Sequence, residues 1–567
     1  MAGGAETCVA CWRCVRVRVR KRAAPRRAAP RRIALLLTAQ SPALFSLPAS
    51  SLHSLLLRGL GRCGPGRHGL WLALWLLACA ATPALCDWAA AREALAAGVE
   101  RRAFPAAAAA AGRLCQGACA STTRTAFAGA YVYPGDADPP HSAGALQPDS
   151  STLFDMASLT KVLATTHVVA LLHQNGVLAL DTRVADVLPG FGAKGKQGVT
   201  VKDCLLHEAG FAPDPEPNFW EAAFGCAGAP LPVDPFDQSC VSRAYQALLN
   251  APLASAPAQG RAVYSDLSFL TLAWVAGKVA AEKGLVAPSQ GALPGCASAA
   301  TDSPVALLCA FEAAVRRAHA AAGTSTATGF SPSADLWPRA VPTRPPRQEG
   351  LPTDLTIQGR VNDGNSAMLG GVAGHAGLFA SLDDVLALVK AWTPTTAASA
   401  ARGIAGDPRE VYAAAHVALG RRPRFESDVP SGDFDWTLSA QTAALFTQRV
   451  RPGDANSSRA LGWDTNSPTD GDRGFNASCS DAFGPRTFMH IGYTGTMLCV
   501  DPDAGVYAAL LTNRVYPEDE DGSEERWHAA TQAFAKAAHN ALARNGTRLR
   551  RQASSGGLRG IAQFPAK

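Results

Sequence analysis

The chain has 567 residues, 47% of them hydrophobic, which is enough to bury a large core and rules out a small peptide module or a solvated polar tail as its main body. Its net charge is +7, but residues 1 to 86 hold thirteen Lys or Arg against the single acid Glu6, so this stretch carries more than the whole surplus and the remainder is near neutral for its size. The basic balance describes a leader and argues against a nucleic-acid-binding face, because RVRVRKRAAPRRAAPRR lies outside any amphipathic or motif-bearing segment.

That leader has two apolar stretches, Ile33 to Leu57 and Leu70 to Ala81, the second reading LWLALWLLACAA after the basic Arg67. With the small residues Ala84 and Cys86 just before Asp87, it reads as a signal sequence cleaved near that point. An uncleaved membrane anchor, an Arg-rich organelle transit peptide and a true start further along are the alternatives, in that order. From Asp87, DWAAAREALAAGVERR has helical periodicity and Phe104-Pro105 ends it. The runs AAAAAAGRL and TAFAGAYVY are expected to be the first strands of an antiparallel sheet, parted by a turn that holds Cys115 and Cys119. Ser158 to Gln174 predicts a helix with an apolar stripe of Leu163, Val168, Val169 and Leu172, stopped by Asn175-Gly176.

Helical and irregular segments dominate from there to about Ala400. Two Pro/Ala/Gly-rich stretches, 212–261 and 282–347, read as loop insertions. Strands return with FMHIGYTGTMLCVD and GVYAALLTNRV, joined through Asp503-Ala504-Gly505 as in a hairpin. The acidic run Glu518 to Asp521 reads as a solvated turn. A closing helix is predicted from Ser523, with Glu524 and Glu525 in its first turn, to about Arg544, followed by a loose tail. The expected organisation is a leader over 1–86, an α/β (α+β) catalytic region over 87–547 with a helical lobe inserted into a lobe built from both termini, and a tail over 548–567.

Six of the 15 Cys lie in the leader, and nine follow it. Cys226 with Cys240 and Cys296 with Cys309 are spaced to close short loops as disulfides. An odd Cys must be left over and is expected to be a buried thiol rather than a nucleophile. No spacing reads as a metal site. Sequons at Asn456, Asn476 and Asn545 lean with the cysteines toward a secretory or extracellular glycoprotein.

The tetrad Ser158-Leu159-Thr160-Lys161 puts a hydroxyl and an amine three apart, on one face of a helix, where a partly desolvated lysine could take the serine proton. Alone the tetrad is commonplace, but its surroundings are not. FDMASLTKVLATT closely resembles the nucleophile segment of the serine β-lactamase and penicillin-binding protein superfamily, in the class C related branch of D-alanyl-D-alanine carboxypeptidases and esterases. Further resemblances follow in order. LALDTRVADVLPGF and VTVKDCLLHEAGF resemble family elements, His207 and Gly210 fitting while Glu208 and Ala209 depart. Tyr264-Ser265-Asp266 falls where the family has Tyr-x-Asn, VNDGNSAMLGGVAGHAGLFAS resembles a family loop, and His490-Ile491-Gly492 falls where other members have Lys-Thr-Gly.

The resemblance covers about residues 88 to 545. It implies the β-lactamase/DD-peptidase-like fold, an antiparallel sheet flanked by helices plus an all-helical lobe, with the site in the cleft between. It implies Ser158 as nucleophile, Lys161 and Tyr264 sharing the general-base role, and an oxyanion site between the N–H groups of Ser158 and Tyr493. His490 and Gly492, two apart on a strand, would face the cleft, with glycine leaving room for substrate. Replacing the usual lysine by His490 removes a permanent positive charge and puts a carboxylate-bearing substrate in doubt. Asp266 cannot donate to a substrate amide unless protonated. His207 and His375 read as loop-holding residues.

The implied activity is acyl transfer to water through an acyl-enzyme, on a small-molecule or peptide ester, amide or lactam, with no cofactor, no nucleic-acid partner and membrane contact only through an uncleaved leader. A non-catalytic or weakly catalytic assembly protein of the same fold is the alternative. A zinc hydrolase of the metallo-β-lactamase fold is excluded for want of a His-rich motif.

Overall fold

A computed structural model describes residues 83–114, 123–226, 238–257, 262–344, 356–394, 434–452, 457–466, 479–517 and 522–555. Residues 1–82 of the leader, Cys115, Cys119, Asn456, Asn476 and the acidic run lie outside these residues. Helix α1 (Pro83–Glu100) opens the described chain, so the composition boundary at Asp87 falls inside a helix. Next come β1 (Ala106–Arg113), β2 (Arg124–Gly129) and the short β3 (Phe154–Asp155). The helical middle is α2 (Thr166–Gln174), α3 (Gln238–Asn250), α4 (Asp266–Glu282) and α5 (Pro304–Ala322). It is followed by β4 (Gly329–Phe330), β5 (Leu378–Ala380), α6 (Leu382–Trp392) and α7 (Ala440–Thr447). The chain closes with β6 (Asp464–Thr465), β7 (Phe488–Gly492), β8 (Thr496–Asp501), β9 (Val506–Thr512) and α8 (Ser523–Ser555).

Six strands form one antiparallel sheet in the order β2-β1-β9-β8-β7-β6, built from both ends of the chain as expected. Its side chains alternate with a period of two. Ala106, Ala108 and Ala110 of β1, with Tyr507, Ala509 and Leu511 of β9, join the core shared with the helical middle. Ala107, Ala109 and Ala111, with Val506, Ala508 and Leu510, face the second core beneath α1 and α8. Alanine is a strong helix former and is depleted from strands, yet this Ala run is a strand because both its faces are buried between layers. The run FMHIGYTGTMLCVD is two strands and not one, since Tyr493, Thr494 and Gly495 turn the chain back between β7 and β8.

The stretch 282–347 contradicts the loop-insertion expectation. Nineteen of its residues form α5, capped by Ser303, whose hydroxyl accepts from Ala306 N at 3.1 Å. Leu308, Phe311, Ala314, Val315 and Ala318 bury one face of α5 against α4. The contact is close because Gly277 has no side chain: a Cβ there would stand 1.9 Å from the Leu307 carbonyl oxygen. The stretch 212–261 likewise contains α3. At the C-terminal end α8 runs to Ser555, past the expected stop near Arg544 and into the first part of the expected tail. The two predicted disulfides, Cys226–Cys240 and Cys296–Cys309, are formed, and a third joins Cys479 to Cys499 across β8. Cys204 is a free, buried thiol. Among the described residues no helix is long and apolar enough to cross a membrane.

Candidate active site

Ser158 stands one turn after β3, at the start of the helical run that leads into α2. Ala157, just before it, has φ +44°, a region that residues with a Cβ rarely occupy. Asp155 holds this turn. One carboxylate oxygen accepts from Ala157 N at 2.8 Å and the other from Asn362 N at 2.7 Å. Burial pushes the Asp155 pKa up to about 6, with those two N–H groups opposing the rise. From the sheet, Thr494 and Thr496 donate to the carbonyls of Asp155 and Met156 at 2.6 and 3.0 Å, stitching the β7–β8 turn to the nucleophile segment. The helix expected over Ser158 to Gln174 is not regular. Lys161–Thr165 forms a π-turn, a widening that places an extra residue in the turn beside Ser158.

Lys161 is fully buried and its three donors are all used: Ser158 Oγ at 3.0 Å, the His375 carbonyl at 3.0 Å and the Asp266 carboxylate at 2.8 Å. Burial drives its pKa down, but the Asp266 and Tyr264 oxygens outweigh burial, and the net shift is upward. The expectation of a lysine neutral through desolvation is therefore not met. Lys161 is an ammonium, and the reason is the carboxylate of Asp266, the residue that replaces the family's Asn. Asp266 sits at the N-terminus of α4, where the helix dipole favours an acid.

Tyr264 is packed from several elements. Its ring lies 4.6 Å from that of His207 and 6.2 Å from that of His490, with Lys161 Nζ at 4.9 Å and the Arg459 guanidinium at 5.5 Å from its centre. His207 adopts φ +58° and accepts the Ser265 N–H at 3.0 Å, which fixes the segment bearing Tyr264. Burial, then Arg459 and Lys161, hold its imidazole well below the usual range, so it is neutral. The departures at Glu208 and Ala209 also have a structural counterpart: the buried Glu208 carboxylate binds Arg451 through both oxygens, one bond at 2.7 Å.

On β7, His490 faces the same cleft, its Nδ1 2.8 Å from the Ile491 carbonyl. Burial, then Lys161 and Arg459, bring its pKa down to about 3, so it carries no charge at neutral pH. Gly492 lines the cleft too, and its lack of a side chain also permits a close backbone approach. A Cβ there would stand 2.4 Å from the Met156 carbonyl and 2.2 Å from Thr496 Oγ1. The nucleophile segment and Thr496 thus lie close against this strand. Tyr493 is 53% exposed at the rim, with the Arg514 guanidinium stacked 4.8 Å over its ring and Arg514 Nε donating to its carbonyl at 2.8 Å.

The cleft, of roughly 570 Å³, brings together Ser158, Tyr264, Asp266, His490, Gly492 and Tyr493 over the buried Lys161. His375 closes its floor, its Nε2 2.9 Å from Asp363. Burial opposes a charged His375, but Asp363 and Asp266 outweigh it and raise its pKa. Ligand atoms of Asp266, Asp363 and His375 are near enough to share an ion. That position is already served, because the Lys161 ammonium neutralises Asp266 and His375 pairs with Asp363. Sequence reasoning missed Asp155, Asp363 and Arg459. Asp155 and Asp363 lie inside segments that resemble the family but carry no marked role there, while Arg459 belongs to no motif and reaches the site only through tertiary contact.

A family model described as "Beta-lactamase" matches residues 118–533. A protein of Escherichia coli (strain K12) named "Putative D-alanyl-D-alanine carboxypeptidase" is 25% identical over 383 residues, 64% of this chain and 70% of its own. A protein of the same name from Salmonella typhi is 26% identical over 390 residues, with the same coverage. Among solved structures, a class C beta lactamase from Rhodobacter sphaeroides is similar at TM-score 0.44 and 16% identity, over 78% of this chain and 98% of that one. A beta-lactamase/D-alanine carboxypeptidase from Pseudomonas syringae is similar at TM-score 0.46 and 14% identity, with the same coverage.

Proposed function

The chain belongs to the beta-lactamase family, with that family's antiparallel sheet and helical lobe, and from this premise we propose that it is a serine acyl hydrolase whose nucleophile is Ser158. The observation that carries the reading is the hydrogen bond of 3.0 Å between Lys161 Nζ and Ser158 Oγ, made at the bottom of a cleft that also holds Tyr264. An ammonium has no lone pair with which to accept a proton. The base role thus falls to the Tyr264 phenol oxygen, which relays the Ser158 proton toward the leaving group beside the Lys161 ammonium. Ser158 Oγ bonds to the carbonyl carbon while its proton moves to the Tyr264 oxygen. The oxyanion rests on the N–H groups of Ser158 and Tyr493, and collapse of the intermediate expels a leaving group that takes the proton from Tyr264. Water then attacks the acyl-enzyme by the same exchange, releasing the acid and restoring Ser158.

The substrate class is an ester, amide or lactam. An uncharged His490 offers no fixed cation to a substrate carboxylate, which favours esters over penicillin-like lactams. Cleft residues Asp266 and Gly492 are the expected contacts of the bound acyl group. The three disulfides suit an oxidising compartment and support a secreted or extracellular enzyme. The test is labelling of the full chain by a fluorophosphonate probe and a fluorescent penicillin, beside Ser158→Ala and Lys161→Ala. Strong Ser158-dependent labelling by the first probe, and weak or no labelling by the second, is expected. Absence of Ser158-dependent labelling in folded protein sinks the reading in favour of a non-catalytic member of the fold.

A further inference from the structure

The segment from Ala212 to Trp220 supplies part of the cleft wall and is fastened from two sides. Ser265 Oγ and Asp266 N donate to the carbonyls of Ala212 and Pro213 at 2.6 and 2.7 Å, which ties it to the N-terminus of α4. Phe219 N donates to Asn365 Oδ1 at 2.7 Å, and Asn365 Nδ2 donates to Asn218 Oδ1 at 2.9 Å, which ties it to the segment bearing Asp363 and His375. Gly364 lets the Trp220 indole lie close, since a Cβ there would stand 2.4 Å from its Cδ1. Asp214 and Trp220 thus line the cleft on a braced segment. The cations that the described cleft holds are already engaged. Lys161 binds Asp266 at 2.8 Å, His375 binds Asp363 at 2.9 Å, and Arg459 lies 3.4 Å from Asp464. Arg514 donates to the Tyr493 carbonyl and the Ser523 hydroxyl, and Glu524 lies 3.5 Å from His528. Asp214 differs from the other acids: it is exposed, and among the described residues its carboxylate has no ion-pair partner. Partial desolvation, then Asp266 and Asp363, push its pKa up to about 6, with His375 and Lys161 opposing the rise. It is still ionised at neutral pH, and a cation beside it would offset the repulsion from its two neighbouring carboxylates.

Resting on the acyl-enzyme reading, we propose that Asp214 sets substrate specificity, and that the substrate is an ester or amide whose acyl group carries an ammonium, received by the Asp214 carboxylate beside Trp220. The acyl side is the one concerned because Pro213, next to Asp214, is hydrogen-bonded to Asp266, the expected contact of the bound acyl group. A carboxylate next to an indole suits a weakly hydrated ammonium, which gains from the charge and from the face of the ring. The same cleft offers no matching welcome to an anionic acyl group. His490 is neutral, and Lys161, His375 and Arg459 are held by their own carboxylates.

The experiment compares kcat/KM for three p-nitrophenyl esters on the full chain, with fluorophosphonate labelling of Ser158 run beside it. The acyl groups are trimethylammoniobutyryl, its uncharged isostere with carbon in place of nitrogen, and hydrogen glutaryl. The quaternary cation does not titrate, so any pH dependence of the cationic-to-neutral ratio belongs to the protein. Wild type is expected to favour the cationic ester over the neutral one by about 5- to 10-fold at pH 7, chiefly through KM. That ratio is expected to fall as pH drops through about 6. In Asp214→Asn the ratio is expected to collapse toward one at every pH, and in Asp214→Lys the preference is expected to pass to the glutaryl ester. A preference that survives in Asp214→Asn assigns the cation to another acid of the cleft and overturns the proposal. A wild type that labels with the fluorophosphonate but does not prefer the cationic ester removes this proposal and leaves the acyl-enzyme reading standing. A wild type that neither labels nor hydrolyses any of the esters removes both.

Discussion

At the scale of single residues, the decisive feature is a contest between burial and one carboxylate. Desolvation alone would lower the Lys161 pKa, but Asp266 at 2.8 Å reverses the sign. Because the folded pKa lies above the ordinary 10.5, the pair stabilises the fold fully below that value and the contribution is lost as pH rises through the raised folded value. Asp266→Asn removes the largest opposition to burial, so the Lys161 proton is held less tightly. The expected outcome is a lower melting temperature at neutral pH and Ser158 labelling slowed by about tenfold or more, since the ammonium facing Tyr264 is no longer secured. Faster labelling in this variant would instead show that a neutral Lys161 is the better base. The sequence announces Ser158, Lys161, Tyr264 and His490 by spacing and by resemblance. It does not announce the protonation of Lys161, because that depends on a carboxylate more than a hundred residues away on another helix.

At the scale of elements, the site is set by how tightly β7 lies against the nucleophile turn. Thr494 and Thr496 bind the Asp155 and Met156 carbonyls, and Gly492 permits the approach. Gly492→Ala puts a methyl group into the Met156 carbonyl and Thr496 Oγ1, and a backbone oxygen cannot swing aside as a flexible side chain can. The variant is expected to lose about 1–3 kcal/mol of stability, read by chemical denaturation, together with most Ser158 labelling. If stability falls while labelling persists, β7 does not position the nucleophile. Strand alternation, the hairpin through Asp503 to Gly505 and the α8 N-terminus are readable from the sequence because their signals are local. Helix α5 is not. Its Ala-rich composition matches that of the flanking loops, and only the buried stripe against α4 reveals it. The π-turn at Lys161–Thr165 has no periodic signature either, since it widens the helix by one residue in place of interrupting it.

At the scale of the whole molecule, the core is laid out against acid. His167 and His319 sit with their rings 6.2 Å apart beside Trp392, and both are buried. Burial, then the neighbouring His319, lowers the His167 pKa to about 3, and burial lowers that of His319 as well. The unfolded chain takes up protons at these positions near 6.5 while the fold refuses them. Their stabilising contribution is therefore complete above 6.5 and declines as pH falls from there toward about 3. Asp155 works the other way: its pKa of about 6 lies above the usual 3.8, so its contribution is complete below 3.8 and is lost as pH rises through 6. The four buried histidines held down by burial, His167, His319, His207 and His490, outweigh the raised Asp155, Asp214 and His375 and leave a net loss on acidification. The free energy of unfolding, measured by urea denaturation, is expected to fall steadily between pH 6.5 and pH 4, and His167→Leu is expected to flatten that slope while leaving Ser158 labelling at pH 7 unchanged. A slope identical in His167→Leu and wild type would place the acid sensitivity elsewhere in the fold.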